Sequence, residues 1–248
     1  MENVLVKCNK TDTTSINFKE EGLMKKRILA LCLVMALVGL CIAGCSCSKS
    51  SSNTQQQVKQ DENVRLVESG YEISEGGYMN AGVVIENPSQ DTAYEFPKII
   101  ATAFDANGAV LATETQVLNE IQPGERQAFH VFMSCNGQEP ARIDFSVENG
   151  NKVAPSSKVI KSSDLIISGT NERVDKYSSS LTGMVKNNSQ NNAKGIAVTV
   201  LLRKEGKIVS AYTSFVDDLN AGQEKPFDIS LRSKAEHDSY EVVAIDWM

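Results

Sequence analysis

The chain has 248 residues and is acidic, because 25 lysine and arginine residues stand against 31 aspartate and glutamate residues, for a formal net charge of −6. An acidic surface is repelled by nucleic acid and by anionic lipid, so we expect no nucleic-acid partner and no attachment to membranes through surface charge. The chain has only 2 histidines, so few residues are available as zinc ligands or for histidine-based catalysis.

The first clear feature along the chain is an export signal. Positive charge is concentrated in Met24-Lys25-Lys26-Arg27, and residues 28–43 form an uncharged, mostly apolar run. This run is shorter than the roughly 20 residues that a membrane-spanning helix needs. It leads to Gly44 and Cys45 through small residues of the kind that a cleavage site requires. We therefore predict that residues 24–44 are a signal peptide, cleaved between Gly44 and Cys45.

Residues 1–23 precede this signal and carry charges of both signs without a periodic apolar pattern. We interpret them as an upstream extension, with translation starting at Met24. The alternative is a genuine signal peptide with an unusually long N-terminal region.

The signal ends in a sequence that resembles the lipobox of bacterial lipoproteins, Ile42-Ala43-Gly44-Cys45. The resemblance implies that the sulfur of Cys45 carries a diacylglyceryl group, which holds the mature protein in the cell membrane on its extracytoplasmic side. Two acyl chains anchor a protein stably, whereas one chain binds only marginally. Residues 45–63 are mostly polar and lack aromatic side chains, so we expect the lipidated cysteine to begin a flexible tether.

The positions of the cysteines agree with export. After Cys45 and Cys47, only Cys135 lies in the part of the chain that we expect to fold. No even set is available for a disulfide framework, so hydrophobic cores must hold the fold together. A bridge between Cys47 and Cys135 is an open alternative.

The rest of the chain consists of two similar segments, residues 64–148 and 165–248, joined by residues 149–164, whose composition is typical of a linker. The spacing of three landmark residues is the same in both segments. The two segments differ by one small insertion, which lies between Asn87 and Gly108. The landmarks are the pairs Gly108 and Gly206, Gly124 and Gly222, and Phe129 and Phe227; upstream of these, residues 82–90 align with residues 183–190.

Each segment has the pattern of short strands separated by tight turns. Runs rich in β-branched and apolar residues, such as residues 98–104 and 198–202, are bounded by turn formers. Turns are predicted at Asp105-Ala106-Asn107-Gly108, Lys204-Glu205-Gly206 and Gln122-Pro123-Gly124-Glu125, and closing strands at residues 144–147 and 241–247. No segment after the signal has a convincing helical period. The pattern therefore predicts an all-β fold with one β-sandwich per segment.

These motifs resemble those of the FxLYD family. The shared features are an Asn-centred turn, the aromatic-Asp-x-x-Gly hairpin at residues 104–108, and Ile121-x-Pro123-Gly124-Glu125 followed by an aromatic strand. In the name-giving stretch only Phe104 and Asp105 match, and Arg203 replaces the aspartate in the second segment. The family comprises immunoglobulin-like β-sandwich domains of prokaryotic exported proteins and lipoproteins. The resemblance therefore implies two tandem immunoglobulin-like β-sandwiches, and it implies no catalytic residues.

The sequence offers no catalytic, cofactor-binding or metal-binding set. Neither His130 nor His237 has a second histidine or a cysteine at ligand spacing, and the motifs of serine hydrolases, phosphate-binding loops and zinc proteases are absent. We expect His130 to face solvent on a strand and His237 to lie in a turn. Residues 105–108 are the best candidate for a calcium loop, but a hairpin is favoured because Asn-Gly suits tight turns.

Trp247 is the single tryptophan of the chain. Strand alternation places Val243, Ile245 and Trp247 on one face. We expect this face to pack into the core of the second segment. The alternative is an exposed aromatic platform that binds a ligand.

The sequence as a whole favours a non-enzymatic lipoprotein of the cell envelope that acts as a binding or scaffolding module without a cofactor or metal. Its predicted partners are membrane lipid, through the diacylglyceryl group on Cys45, and an envelope protein or small ligand. The alternative is a solute- or ion-binding lipoprotein that assists a membrane transporter. That alternative predicts a concave apolar pocket with a few converging polar groups, between the two segments.

Overall fold

The structure is a computed structural model that describes residues 62–174, 179–232 and 236–248. The described residues lie in one compact unit, Val58–Met248. Their regular elements are β-strands, apart from one turn of 3-10 helix at Ser162–Asp164. No helix in these ranges is long and apolar enough to cross a membrane. The predicted all-β fold class is confirmed.

Several predictions fall on other parts of the chain. The upstream extension, the signal peptide and its cleavage site at Gly44 and Cys45, and nearly all of the tether lie outside the described residues. They stay predictions.

The first repeat is a sandwich built from two three-stranded antiparallel sheets. Sheet A has the strand order β1-β2-β7, and sheet B has the order β5-β4-β8. The strands are β1 (Arg65–Ser74), β2 (Tyr78–Glu86), β3 (Ala93–Glu95), β4 (Lys98–Phe104), β5 (Val110–Val117), β6 (Glu120–Ile121), β7 (Arg126–Ser134) and β8 (Arg142–Glu148). Alternate residues of β4, namely Ile99, Ala101 and Ala103, point into the first core, as the period of two in a strand requires.

The predicted linker, residues 149–164, contains regular structure. It begins with β9 (Asn151–Val153), which pairs antiparallel with β3, so that β6, β3 and β9 form a small third sheet. It ends in the 3-10 turn, where Glu125 accepts hydrogen bonds at 2.8 Å from both the backbone N–H and the hydroxyl of Ser162. The segment is thus tied to the first repeat near both of its ends, whereas Ile160 between them packs into the second core.

The second repeat is a sandwich of the same kind. Sheet C has the order β13-β12-β15, and sheet D has the order β10-β11-β14. The strands are β10 (Leu165–Val174), β11 (Ser179–Asn187), β12 (Ala193–Lys204), β13 (Lys207–Leu219), β14 (Glu224–Leu231) and β15 (Ser239–Asp246). Leu181, Val200 and Phe227 belong to the second core, between the two sheets. Each repeat is therefore an immunoglobulin-like β-sandwich.

The predicted turns are confirmed, and their residues explain them. Lys204 pairs with Lys207 across the β12–β13 hairpin, and the two loop residues, Glu205 and Gly206, have φ of 51° and 77°. Positive φ at both positions is the type I′ geometry that suits a two-residue hairpin, and glycine adopts it without strain. In the β4–β5 hairpin, the Asp105 carboxylate accepts two backbone N–H groups at 2.8 Å.

A buried asparagine holds the same place in each repeat. The side-chain amide of Asn87 donates to the carbonyl groups of residues 92 and 121 at 2.8 and 3.2 Å, and that of Asn187 donates to those of residues 191 and 219 at 2.8 and 3.0 Å. Asn87 therefore corresponds to Asn187, which shifts the alignment of the two segments by one residue from the match of Gly82 with Gly183. Gly82 pairs with His130 on β7, whereas Gly183 pairs with the phenylalanine of β14, so these two glycines are not equivalent.

The two sandwiches are stacked, with the sheets in the order B-A-C-D. Sheet A packs its outer face on the outer face of sheet C, where Val84 and Ala128 meet Leu201, Ile208 and Ala211. Strand β2 is consequently buried on both faces along nearly all of its length. Because the surface between the two repeats is apolar and continuous, they form one body rather than two independent domains joined by a linker.

Two glycines allow the sheets to approach closely. Gly70 and Gly82 are partners across β1 and β2, and both lie under Ile208 of β13. A Cβ atom on Gly70 would overlap the carbonyl oxygen of Ile208, and one on Gly82 would lie 2.8 Å from the Ile208 Cγ2 atom. We define Gly70 and Gly82 as the glycine patch of sheet A.

Candidate functional site at the junction of the two repeats

An ion-pair cluster closes one side of the junction. Arg203 of β12 donates to the carboxylate of Glu68 on β1 at 2.8 and 3.1 Å, and to Glu241 on β15 at 2.8 Å. The hydrogen bond from Arg203 holds the pKa of Glu68 below its usual value, since it stabilises the charged carboxylate. The same pair raises the pKa of Arg203. This cluster links sheet A to sheet C by charge-assisted hydrogen bonds.

Trp247 corrects the sequence prediction. Val243, Ile245 and Trp247 do share a face, but this face packs against the first core, not the second. The indole ring stacks on Phe129 of β7, with ring centroids 4.8 Å apart and planes at 9°. The prediction was wrong because β15 lies in a sheet that is covered on both faces, and alternation alone does not say which face meets which core.

His130 is also at the junction and does not face open solvent. Its ring lies 5.5 Å from that of Tyr212 in β13, and its Nε2 atom lies 3.1 Å from the Asn80 Oδ1 atom. Burial lowers the pKa of His130 to about 4, because the charged form loses hydration. The imidazole is therefore neutral at pH 7. The predicted solvent-facing position was wrong.

Beside His130 lies a cleft of about 670 Å³. This volume lies within the ~300–1,000 Å³ that small-ligand sites occupy. Both repeats contribute to its walls. The first repeat supplies Ser74, Tyr78, Asn80, His130 and Phe132, and the second supplies Tyr212, Thr213, Ser214, Asp228, Ser230 and Arg232. We call this space the junction cleft.

Two aromatic rings form one apolar wall of the junction cleft. Tyr78 and Phe132 stack as nearly parallel rings, with centroids 5.8 Å apart and planes at 13°, and we call this stacked pair the aromatic plate. They are 45% and 51% exposed, respectively, although large aromatic rings normally gain stability from burial. An exposed apolar plate beside a concave space is a feature typical of binding sites.

The other walls carry hydrogen-bonding groups of both kinds. Ser214 Oγ is buried and has no hydrogen-bond partner among the described residues, which leaves a costly unsatisfied hydroxyl beside the cleft. Asp228 supplies a carboxylate acceptor, and Arg232 supplies a guanidinium donor. With His130 neutral, these two opposite charges leave the lining without net charge. The cleft can therefore bind a flat, polar, uncharged molecule.

A group of carboxylates lies elsewhere on the unit. Burial raises the pKa of Asp246 and of Glu120, and the neighbouring carboxylate of Glu125 raises both further. The Oδ1 atom of Asp246 has no hydrogen-bond partner in the part of the chain that the structure describes. Within the described ranges, no group of three histidine, cysteine, aspartate or glutamate side chains is placed to hold a metal ion.

The remaining residues weighed from the sequence lie apart from the junction cleft. His237 lies in irregular structure before β15, where the sequence predicted a turn, and its Nε2 atom lies 2.9 Å from the Glu172 carboxylate. Cys135 is a buried free thiol, and burial raises its pKa. Its proposed bridge partner, Cys47, lies outside the described residues.

Sequence reasoning missed the aromatic plate, although the sequence contains a signal for it. Tyr78 alternates with Met79 on β2, and Phe132 alternates with Met133 on β7, so each strand places one bulky apolar residue on each face. A strand with one solvated face would carry polar residues there. The doubled apolar pattern could have indicated a second buried or binding surface.

No protein-family model matches the chain, and no curated protein matches it. Among solved structures, the chain is similar to the C-terminal globular domain of an oligosaccharyltransferase from Pyrococcus abyssi, at 11% identity and a TM-score of 0.21. The match covers 74% of this chain and 46% of that structure. So low a TM-score carries no argument about function.

Proposed function

We propose that the protein is a non-enzymatic binding lipoprotein with two FxLYD-like repeats, held on the extracytoplasmic side of the cell membrane by a diacylglyceryl group on Cys45. The export signal and the lipobox-like sequence at residues 42–45 support the location. The polar tether at residues 45–63 is long enough to keep the folded unit clear of the lipid headgroups.

The junction cleft is the observation that carries the binding role. It is concave, both repeats line it, and it combines an exposed aromatic plate with hydrogen-bonding groups. A scaffold that only spaces other proteins has no need of such a space, because flat surfaces and strand edges serve that purpose. Because both repeats line the same cleft, the arrangement favours one ligand site per chain.

The same cleft supports a second candidate function, a solute-binding lipoprotein that delivers a small molecule to a membrane transporter. Its volume and its position between the repeats agree with what that role requires. The two candidates share the anchor and the cleft, and they differ in whether a permease is a partner. Crosslinking in intact cells distinguishes them, since only the second predicts a permease among the captured proteins.

The anchor is tested by replacing the acceptor cysteine. Cys45→Ala is expected to release the protein from the membrane fraction or to leave it as the uncleaved precursor, and to abolish labelling with a radioactive fatty acid. Cys47→Ala is the matched control, because it lies two residues away and is expected to change neither result. Unchanged membrane retention and labelling of Cys45→Ala would contradict the proposed anchor.

A further inference from the structure

We infer that the junction cleft binds a saccharide, seated with the C–H face of one sugar ring against an exposed ring of the stacked pair Tyr78 and Phe132. This inference rests on the proposed binding function and specifies its ligand. It depends on three features of the cleft: the exposed plate, the mixed donors and acceptors, and the absence of net charge.

The plate matches one face of a sugar ring. A pyranose ring presents a face of C–H groups that is apolar, while its hydroxyl groups project around the rim. The rings of Tyr78 and Phe132 are nearly parallel, with planes at 13°, and the two residues are 45% and 51% exposed. A sugar ring laid on an exposed ring of this pair covers apolar surface that water now contacts, and such burial is favourable.

The polar groups match the rim of a sugar. A hydroxyl group both donates and accepts, so a saccharide needs acceptors and donors close to one another. Asp228 accepts, Arg232 donates, and Asn80, Thr213 and Ser230 add neutral groups of both kinds.

The charge of the lining favours a neutral ligand over an anion. Arg232 is balanced by Asp228, and His130 adds no charge at pH 7. A site for phosphate or carboxylate would present an excess of donors and positive charge. A purely apolar ligand would cover the charged groups of Asp228 and Arg232 without hydrogen bonding to them, which costs free energy.

The test uses the full chain, purified in detergent, and a panel of neutral oligosaccharides: chitotetraose, cellotetraose, mannotetraose and maltotetraose. Saturation-transfer NMR detects contact with the sugar protons, and calorimetry gives the dissociation constant. We expect at least one neutral member to bind. We expect Phe132→Ala and Tyr78→Ala each to weaken that binding at least tenfold, and Tyr78→Phe to preserve most of it.

Phe96→Ala is the control, because Phe96 is 49% exposed but does not line the cleft. It is expected to leave the dissociation constant unchanged. The acidic tetragalacturonate is tested beside the panel as the charged comparison. The inference is overturned if no panel member binds, if only tetragalacturonate binds, or if Phe132→Ala and Phe96→Ala bind alike. Failure of all sugars together with intact Cys45-dependent membrane retention would remove this inference and leave the proposed anchor standing.

Discussion

Trp247, at the end of the second repeat, stacks on Phe129 of the first repeat, with ring centroids 4.8 Å apart and planes at 9°. The two residues are far apart in the sequence and belong to different sandwiches. Their contact means that the C-terminal strand of one repeat completes the core of the other. The folding of the two repeats is therefore expected to be coupled.

A double-mutant cycle measures this coupling. Phe129→Leu and Trp247→Leu keep apolar bulk but remove the ring stack, and we expect an interaction free energy of about 0.5–1.5 kcal/mol from urea denaturation. Phe145→Leu combined with Trp247→Leu is the control, because the ring contact of Phe145 is with Tyr71. Additive effects in both cycles would show that the stack contributes nothing across the junction.

The glycine patch predicts a steric limit on the junction. Gly70→Ala places a Cβ atom on the carbonyl oxygen of Ile208, and the backbone can relieve this overlap only by moving sheet C away from sheet A. We expect the free energy of unfolding to fall by about 1–3 kcal/mol or more. Gly195→Ala is the control, because its Cβ would meet only the flexible end of the exposed Met248 side chain. Equal stability of the two variants would contradict the close packing of the sheets.

The Arg203 cluster predicts a salt-dependent contribution. Glu68→Gln leaves Arg203 without its partner on the first repeat, and because the pair is partly exposed we expect a loss of about 1 kcal/mol that shrinks in high salt. The folded-state pKa of Glu68 is lowered, so its contribution is present at neutral pH and is lost as the pH falls below 4.5 through the folded value. Glu86→Gln, which breaks the more exposed pair with Arg65, is expected to cost less.

The burial of His130 predicts a loss of stability in mild acid. Its folded-state pKa, about 4, lies below the unfolded value of 6.5, so the unfolded chain binds more protons in this interval. Stability is therefore lost as the pH falls from 6.5 towards 4, by roughly 3 kcal/mol from this group alone. Glu120 and Asp246 act in the opposite direction, since their pKa values are raised.

Comparison of two variants isolates the contribution of His130 to the pH dependence of stability. We expect His130→Gln to flatten the dependence of the denaturation midpoint on pH between 6.5 and 4, and His237→Gln to retain it. A slope that survives in His130→Gln would assign the acid sensitivity to other groups.

The sandwiches were predictable because the relevant signals are local. Alternation along β4 and the Asn-Gly and Pro-Gly turns specify strands and their reversals within a few residues. The equal spacing from Gly108 to Phe129 and from Gly206 to Phe227 then predicts the duplication. These features depend on neighbouring residues and need no knowledge of how distant surfaces meet.

The junction was not predictable in the same way. Gly82 and Val84 on the outer face of β2 show that this face is not a usual solvated one, but their partners lie more than 100 residues away on β12 and β13. His130 and Trp247 were misplaced for this reason. Alternation indicates which side of the strand each residue lies on. It does not indicate that the surface packed against that side comes from the other repeat.

The central claim is that the two repeats form one cooperative body through the contact of sheets A and C. Guanidinium unfolding of the full chain in detergent, followed by the fluorescence of Trp247 and by far-ultraviolet circular dichroism, tests it most directly. The stacked arrangement predicts a single transition with the same midpoint by both probes. Two circular-dichroism transitions, only one of them accompanied by a change in Trp247 fluorescence, would contradict it.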